Sequence, residues 1–346
     1  MLLQASKGKS ARSLDEKLWL KEINFLIGMN ITGLMVKCPR CGKIGVPGPK
    51  WIRGPKTKPV YVFHKNRKDE PEACLLDKSQ AEEVRKKVEL TRDDIKKLIS
   101  RGKAYVLFSG GLDSLCALDF ICCLASEVGQ KVTALHINTT VGLLEVTEYV
   151  KQICSQLNVN LKIVEPEVDY FTLAKKWGIP GFNSRWCCRE LKIKPVMNFL
   201  ESVDGAKVVF DGIRAAESGI RAKYLPVWFH PSFNCLSVSA IFNWTDEDLE
   251  NYVRNRNLPP GLSSVLSTSG ECWCGAYKRK EDFIKLYQLN RDIFNRLCEV
   301  EESNRNGFTF IYEKGHKLTL RALAEQIEQK SRSSQERLKV GQSLYS

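Results

Sequence analysis

The sequence predicts an α/β fold on a doubly wound parallel sheet, with a small basic, cysteine-bearing module before it and a helical C-terminal region after it. Three observations predict it. From Lys103 onward, short apolar strand-like runs alternate with helix-like runs, the pattern of parallel strands joined by crossover helices. At the first strand-to-helix junction the chain reads Ser109-Gly110-Gly111-Leu112-Asp113-Ser114, a tight glycine turn. Ahead of this alternation, residues 1–104 hold 24 of the 53 Lys and Arg residues but only 12 of the 40 Asp and Glu.

The length of 346 residues suits two or three domains, and the apolar fraction of 43% suits a soluble protein with a sizeable core. No uninterrupted apolar run reaches the roughly 18 residues of a membrane span. The charged start, with Lys7, Lys9, Arg12, Asp15 and Glu16, does not read as a secretory leader. A cytoplasmic protein with no membrane partner is expected. Thirteen cysteines then point to metal or redox chemistry rather than a disulfide framework. Cys116, Cys122, Cys123 and Cys154 lie on apolar helical stretches and read as small core residues.

In chain order, residues 1–36 carry one helix, around Leu14 to Ile27. Residues 37–76 are rich in Gly, Pro, Lys and Cys, with a strand-like piece at Val60–Phe63. Cys38-Pro39-Arg40-Cys41-Gly42 is a zinc-knuckle type of turn, in which the glycine permits the reversal beyond the second cysteine. His64 and Cys74 are the candidate partners that would complete a Cys₃His zinc site in a zinc-ribbon-like module, although either could be a bystander. Some forty residues with few large apolar side chains need such a staple.

Ten basic residues and no acidic one lie between Lys37 and Lys68. Trp51, Tyr61 and Phe63 are interleaved with them. Such a patch reads as a polyanion-binding surface with aromatics to stack on bases, and Lys50, Trp51, Arg53, Lys56 and Lys58 are its candidate nucleic-acid contacts. The competing reading is a solvated basic face. Residues 77–102 read as a linker helix, from about Ser79 to Ser100.

Residues 103–230 form the predicted core. Its strands are Ala104–Phe108, Val132–Ile137, Leu161–Val164 and Lys207–Phe210, with helices such as Leu144–Leu157 and Leu191–Leu200 between them. Ligands on such sheets sit at the carboxyl ends of strands, where the Ser109 loop lies. Its backbone N–H groups and the following helix dipole suit phosphate. Ser109 and Ser114 add hydroxyls, and Gly110 and Gly111 allow close approach. Asp113 repels phosphate and more naturally orients the loop or holds Mg²⁺. Taken alone, the string is also an ordinary serine–glycine turn before a helix. Residues 231–330 read as a helical region that completes a cysteine site. Residues 331–346, rich in Ser, Gln, Lys and Arg, read as a frayed tail.

The string is not a Walker loop. It resembles the pyrophosphatase loop of the adenine nucleotide α-hydrolases, which bind ATP and cleave between its α and β phosphates. Further segments narrow the resemblance: Arg185-Trp186-Cys187-Cys188-Arg189-Glu190-Leu191-Lys192, Asp211-Gly212-Ile213-Arg214-Ala215-Ala216-Glu217-Ser218 with Arg221, Asn243-Trp244-Thr245-Asp246, and Cys272-Trp273-Cys274. In this order, over roughly residues 100–290, they resemble the phosphoadenosine phosphosulfate reductase family. The resemblance implies an adenine nucleotide α-hydrolase-like fold and a nucleotide held by Ser109, Gly110, Gly111, Asp113, Ser114, Arg214, Glu217, Ser218 and Arg221. Asp113, Lys192 and Arg214 are the candidate catalytic residues. Arginine suits a phosphate or sulfate clamp, while a surface ion-pair cluster is the other reading.

In the adenylyl-sulfate branch of that family, a Cys-Cys pair and a later Cys-x-x-Cys pair ligate a 4Fe–4S cluster. The resemblance therefore assigns Cys187, Cys188, Cys272 and Cys274 to a cluster. Here the second pair is Cys-x-Cys, which leaves three ligands, zinc, a redox dithiol or plain core cysteines as alternatives. The unmodified loop, and a tail without the nucleophilic cysteine of the reductases, favour an ATP-dependent sulfurtransferase over a sulfonucleotide reductase. The expected acceptor is tRNA, with DNA left open because DNA phosphorothioation enzymes share the resemblance. A sulfur donor would be the other partner. The expected cofactors are ATP, Mg²⁺, a 4Fe–4S cluster and Zn²⁺. A non-catalytic nucleotide- and nucleic-acid-binding regulator is the third reading.

Overall fold

The computed structural model describes residues 26, 31–49, 60–65, 71–181, 183–230, 232–259, 261–266, 270–304, 307–313 and 315–343. Four short strands come first: β1 (Val36–Lys37), β2 (Ile44–Pro49), β3 (Val60–Lys65) and β4 (Pro71–Leu75). They form an antiparallel sheet in chain order, with β3 and β4 in register at Val62 opposite Cys74 and His64 opposite Glu72.

The single helix expected from about Ser79 to Ser100 is two helices, Lys78–Lys87 and Arg92–Ile99. Asp77 and Thr91 each cap one of them through reciprocal bonds with the residue three positions on. The break has a tertiary cause. Glu89 N–H donates to the Gly33 carbonyl at 3.1 Å, and the buried Asp94 carboxylate accepts the N–H groups of Thr32 and Gly33, each at 2.8 Å. Burial works to raise the Asp94 pKa, but the bonds from Gly33, Thr91 and Thr32 outweigh it and hold the carboxyl below its ordinary value.

The alternation from Lys103 becomes a six-stranded sheet. Its strands are β5 (Lys103–Leu107), β6 (Val132–Ile137), β7 (Asn160–Val164), β8 (Lys207–Asp211), β9 (Val227–His230) and β10 (Cys235–Ser239), in the order β7-β6-β5-β8-β10-β9. β5 is parallel to both β6 and β8, and β8 is parallel to β10. The chain steps from β5 out to β7 and returns to β8 on the other side of β5. The order thus reverses between β5 and β8, the place where a doubly wound sheet opens a crevice at its carboxyl edge.

The sheet is mixed rather than wholly parallel, because β9 closes its edge antiparallel to β10. Residues 231–330, expected to be helical, begin with β10, all five residues of which are buried. Leu236 and Val238 alternate with Ser237 and Ser239, but the serines are buried too, so burial on both faces is not read from the pattern.

By packing, the chain divides into two compact units: Met1–His136, Lys151–Lys162 and Leu200–Pro260 in one, and Ile137–Val150, Ile163–Phe199 and Gly261–Ser346 in the other. The first has its core at Val106, Ala134, Leu135 and Val208–Phe210. The second is helical, with helices including Tyr170–Trp177, Lys280–Leu289 and Arg291–Ser303 and a hairpin of β11 (Ile311–Glu313) and β12 (His316–Leu318). Trp273, Phe283, Phe294 and Leu320 lie in its core. Residues 331–343 of the expected frayed tail are instead part of a helix, Leu320–Ser343. No helix among the described residues is long and apolar enough to cross a membrane.

Candidate functional site

The Ser109–Ser114 loop leaves the carboxyl end of β5 and feeds the helix Leu112–Glu127. Gly110 has φ 79°, a conformation that favours glycine. Gly111 is the N-cap and supplies no side-chain cap, so the first-turn amides remain available to an anion. Ser114 Oγ donates to the Gly111 carbonyl at 2.8 Å and accepts the Ser109 N–H at 3.3 Å. The two serine hydroxyls lie 3.1 Å apart. The serines thus shape the loop as well as line it.

The loop that follows β8 meets this one. Arg214 is 5% exposed. Its Nε lies 2.5 Å from Asp113 Oδ1, its Nη2 2.9 Å from Asp246 Oδ1, and its Nη1 donates to the Trp244 carbonyl at 3.2 Å. Burial works against the guanidinium charge, but Asp113 and then Asp246 outweigh it and raise the pKa. The sequence leaves Arg214 a phosphate clamp or a member of an ion-pair cluster. Here it is the counter-ion of Asp113. Glu217 and Arg221, four positions apart, form an ion pair, and Ser218 Oγ accepts the Arg221 N–H at 3.2 Å.

Lys192 belongs to the helical unit and stands among the cysteines. Cys187 and Cys274 lie 3.4 Å apart, sulfur to sulfur. Cys188 contacts Cys187, and Cys272 contacts Cys274, so all four thiols converge. Cys187-Cys188 open a helix whose next turn, Arg189–Ile193, is a wide π turn carrying Lys192. Cys272 and Cys274 turn to the same side, while Trp273 between them is fully buried.

The contact with Cys188 pushes the Cys187 thiol up to about 12. The same contact, helped by Lys192, brings Cys188 down to about 7 against its burial. The Lys192 ammonium lies 3.3 Å from Glu271 Oε2. Burial works to lower its pKa, but Glu271 and Cys272 outweigh this and raise it. Lys278 lies over the Trp273 ring, 4.3 Å from its centroid, with its pKa lowered by burial. Trp273 Nε1 is buried without a hydrogen-bond partner among the described residues. Four converging thiols, nearby ammonium groups and an unpartnered indole N–H fit an anionic, sulfur-rich cluster. Glu271 and Lys278 escaped the sequence reading. The only pointer to either was its position beside Cys272-Trp273-Cys274.

The N-terminal module brings its four expected ligands together. The Cys38, Cys41 and Cys74 sulfurs and a His64 nitrogen all lie within 4.8 Å of one another. His64 Nε2 is 3.2 Å from Cys41 Sγ and 3.4 Å from Cys74 Sγ. Its Nδ1 is buried without a hydrogen-bond partner among the described residues, and Glu72 Oε2 is 3.6 Å away from it. Gly42, with φ 76°, closes the knuckle, and the Gly42 N–H donates to the Cys38 carbonyl at 2.8 Å. Burial lowers the His64 pKa and favours the neutral ring a metal needs. The donor set fits a tetrahedral zinc ion. Lys50, Trp51, Arg53, Lys56 and Lys58, and most of the expected helix at Leu14–Ile27, lie outside the described residues.

Residues 103–261 match the family model of the phosphoadenosine phosphosulfate reductase domain. The sheet core is similar to that domain. The match takes in the Ser109 loop, Cys187-Cys188 and Arg214; Cys272 and Cys274 lie beyond it, and the Cys₃His group before it.

An uncharacterized protein of Methanocaldococcus jannaschii is 23% identical over 201 residues, 56% of this chain and 46% of that protein. Adenosine 5'-phosphosulfate reductase 2 of Bacillus subtilis is 23% identical over 154 residues, 44% of this chain and 62% of that enzyme. An adenosine 5'-phosphosulfate reductase of Agrobacterium fabrum is 29% identical over 126 residues, 35% of this chain and 45% of that enzyme. The chain spans between 45% and 62% of the length of these curated relatives.

Among solved structures, the phosphoadenylyl-sulfate reductase of Candida auris shares 18% identity at a TM-score of 0.41, covering 56% of this chain and 93% of that one. The U34-tRNA thiolase NcsA of Methanococcus maripaludis, solved with its 4Fe–4S cluster, shares 13% identity at a TM-score of 0.35, covering 77% and 85%.

Proposed function

We propose that this protein is an ATP-dependent enzyme that adenylates an acceptor, with tRNA preferred, and transfers sulfur to it. The observation that carries the reading is the complete Ser109–Ser114 loop, with Gly110 at φ 79° and an uncapped helix N-terminus, at the point where the strand order reverses. An acceptor oxygen attacks the α-phosphorus of ATP, the bond to the bridging oxygen breaks, and pyrophosphate leaves. A sulfur nucleophile then displaces AMP from the adenylated acceptor. The loop amides and serine hydroxyls stabilise the charge that grows on the departing pyrophosphate. Asp113 would hold Mg²⁺, which neutralises part of that charge.

Cys187, Cys188, Cys272 and Cys274 would hold a 4Fe–4S cluster. When bound, the cluster supplies iron that can bind and present sulfur. Lys192 and Lys278 offset the negative charge of the thiolates. The basic stretch around Lys50–Lys58 would grip the acceptor's backbone.

A second reading, reduction of an adenylated sulfate, is favoured by the adenosine 5'-phosphosulfate reductases among the relatives. One anaerobic preparation separates the readings. With ATP, Mg²⁺ and total tRNA, the protein is expected to release pyrophosphate and Asp113→Ala none. Sulfite formed from adenylyl sulfate, with no pyrophosphate from ATP, would assign the reductase instead. Neither product would leave a regulator. The wild type is expected to contain iron and labile sulfide that Cys187→Ala loses. Stoichiometric zinc on these cysteines would remove the cluster from the reading.

A further inference from the structure

A carboxylate inside a phosphate-binding loop is an electrostatic problem. Uncompensated, Asp113 repels the polyphosphate that the loop amides attract. The structure compensates it with the buried guanidinium of Arg214, 2.5 Å away. That pairing raises a second problem, because a carboxylate held by arginine is not free for a metal ion.

Asp246 resolves it. Its carboxylate lies 2.9 Å from Arg214 Nη2, a different nitrogen from the one that meets Asp113, and its side chain is 80% exposed. Its backbone is placed by contacts that do not involve the Arg214 guanidinium. Thr245 caps the helix Asp246–Arg256 by reciprocal bonds with Asp248, which fixes Asp246 as the first helical residue. Trp244, whose carbonyl accepts from Arg214 Nη1, packs against Phe120 at 5.3 Å and Tyr252 at 4.8 Å between ring centroids. The Ala215 N–H donates to the Phe242 carbonyl at 2.8 Å and ties the two segments together. If Asp113 turns away, Arg214 keeps one carboxylate and one carbonyl. A buried guanidinium stripped of every anion would be strongly disfavoured.

We infer that Asp246 is a positioning residue that holds Arg214 as an exchangeable counter-ion of Asp113, so that Asp113 can pass from arginine to a divalent cation when nucleotide enters. The inference rests on the ATP reading above. Without the Asp246 charge, Asp113 is the only carboxylate left to Arg214 among the described residues. The pair tightens and Mg²⁺ competes less well. The same change makes the loop more positive and favours metal-free ATP. The two effects have opposite signs, which a loosened fold does not reproduce.

The test is calorimetric titration of the full chain with ATP across a Mg²⁺ series. Asp246→Asn is expected to raise the Mg²⁺ concentration for half-maximal ATP binding about three- to fivefold, the scale of a partly solvated ion pair. ATP without Mg²⁺ should bind tighter by a similar factor, and Asp246→Glu should restore wild-type behaviour. An unchanged Mg²⁺ requirement in Asp246→Asn, or parallel weakening with and without Mg²⁺, overturns the inference and leaves the ATP reading standing. Wild-type protein that binds no ATP at any Mg²⁺ concentration overturns the ATP reading and this inference with it.

Discussion

Gly212 lies against the backbone of Asp113: a Cβ at residue 212 would sit 2.7 Å from the Asp113 carbonyl carbon and oxygen and 2.8 Å from the Ser114 nitrogen. All three neighbours are backbone atoms, which cannot rotate aside. The loops after β5 and β8 are therefore in direct backbone contact, and this brings Arg214 to Asp113. Gly212→Ala should push the loops apart. The expected cost is about 1–3 kcal/mol of stability, the usual range for overpacking. ATP affinity should fall about tenfold, corresponding to about 1.4 kcal/mol. Denaturant unfolding and an ATP titration check both. A variant with wild-type ATP affinity would show that the contact does not shape the nucleotide site.

Asp211, at the carboxyl end of β8, is buried. It accepts the Ile213 N–H at 3.1 Å and lies 3.4 Å from Ser237 Oγ. Burial raises its pKa above the ordinary 3.8, and hydrogen bonds led by Ser239 only partly oppose the shift. The folded state therefore binds this proton more tightly than the unfolded state. The resulting stability is fully present below the unfolded pKa and is lost as pH rises through the folded one. Asp211→Asn has no such loss. Its stability relative to wild type should improve steadily as pH rises from about 4, the unfolded value. Denaturant midpoints between pH 4 and 7 read this directly, and parallel profiles for the two proteins would contradict it.

What the sequence disclosed and what it hid follow from one distinction. β5, β6, β7 and β8 were legible because each is a short apolar run set off by turn residues or amphipathic helices. The Ser109–Ser114 loop and the set Cys38, Cys41, His64 and Cys74 were legible because their chemistry lies in residue type and spacing. The break before Thr91 was not, since Gly33 and Glu89 create it from 56 positions apart. Nor was the pairing of Arg214. An arginine after a strand suits a phosphate or a carboxylate equally, and it is the approach of Gly212 to Asp113 that brings Arg214 to this carboxylate. The pairing of Lys192 with Glu271 was hidden for the same reason.

The Cys₃His group should make the fold of β1–β4 depend on metal. The sheet contributes few large buried side chains beyond Val46, Val60, Val62 and Phe63, and such small modules draw folding energy from the ion. Wild-type protein should retain one zinc per chain through purification, and Cys74→Ser should lose it. Amide exchange at Val62 and Phe63 should then speed up sharply, while Val208–Phe210 in β8 keeps its protection. Unchanged exchange in zinc-free protein would make the group a bystander to folding.

The basic stretch makes a prediction in which two kinds of contact separate. Each phosphate contact releases counterions, so log affinity falls with log salt by about 0.7 per contact for single strands and about 0.9 for duplexes. Replacing Lys50, Arg53, Lys56 and Lys58 together should weaken tRNA binding and flatten that slope by about three units. Trp51→Ala should act differently. Base stacking contributes about 1–3 kcal/mol without releasing ions, so affinity should drop while the slope stays near wild type. ATP affinity serves as the folding control in both variants, because Ser109–Ser114 is untouched. Zinc content should also hold, because Cys38, Cys41, His64 and Cys74 remain. If the fourfold variant kept both the wild-type slope and the wild-type affinity, the charge would belong to a solvated face. The acceptor would then have to be sought on another part of the molecule.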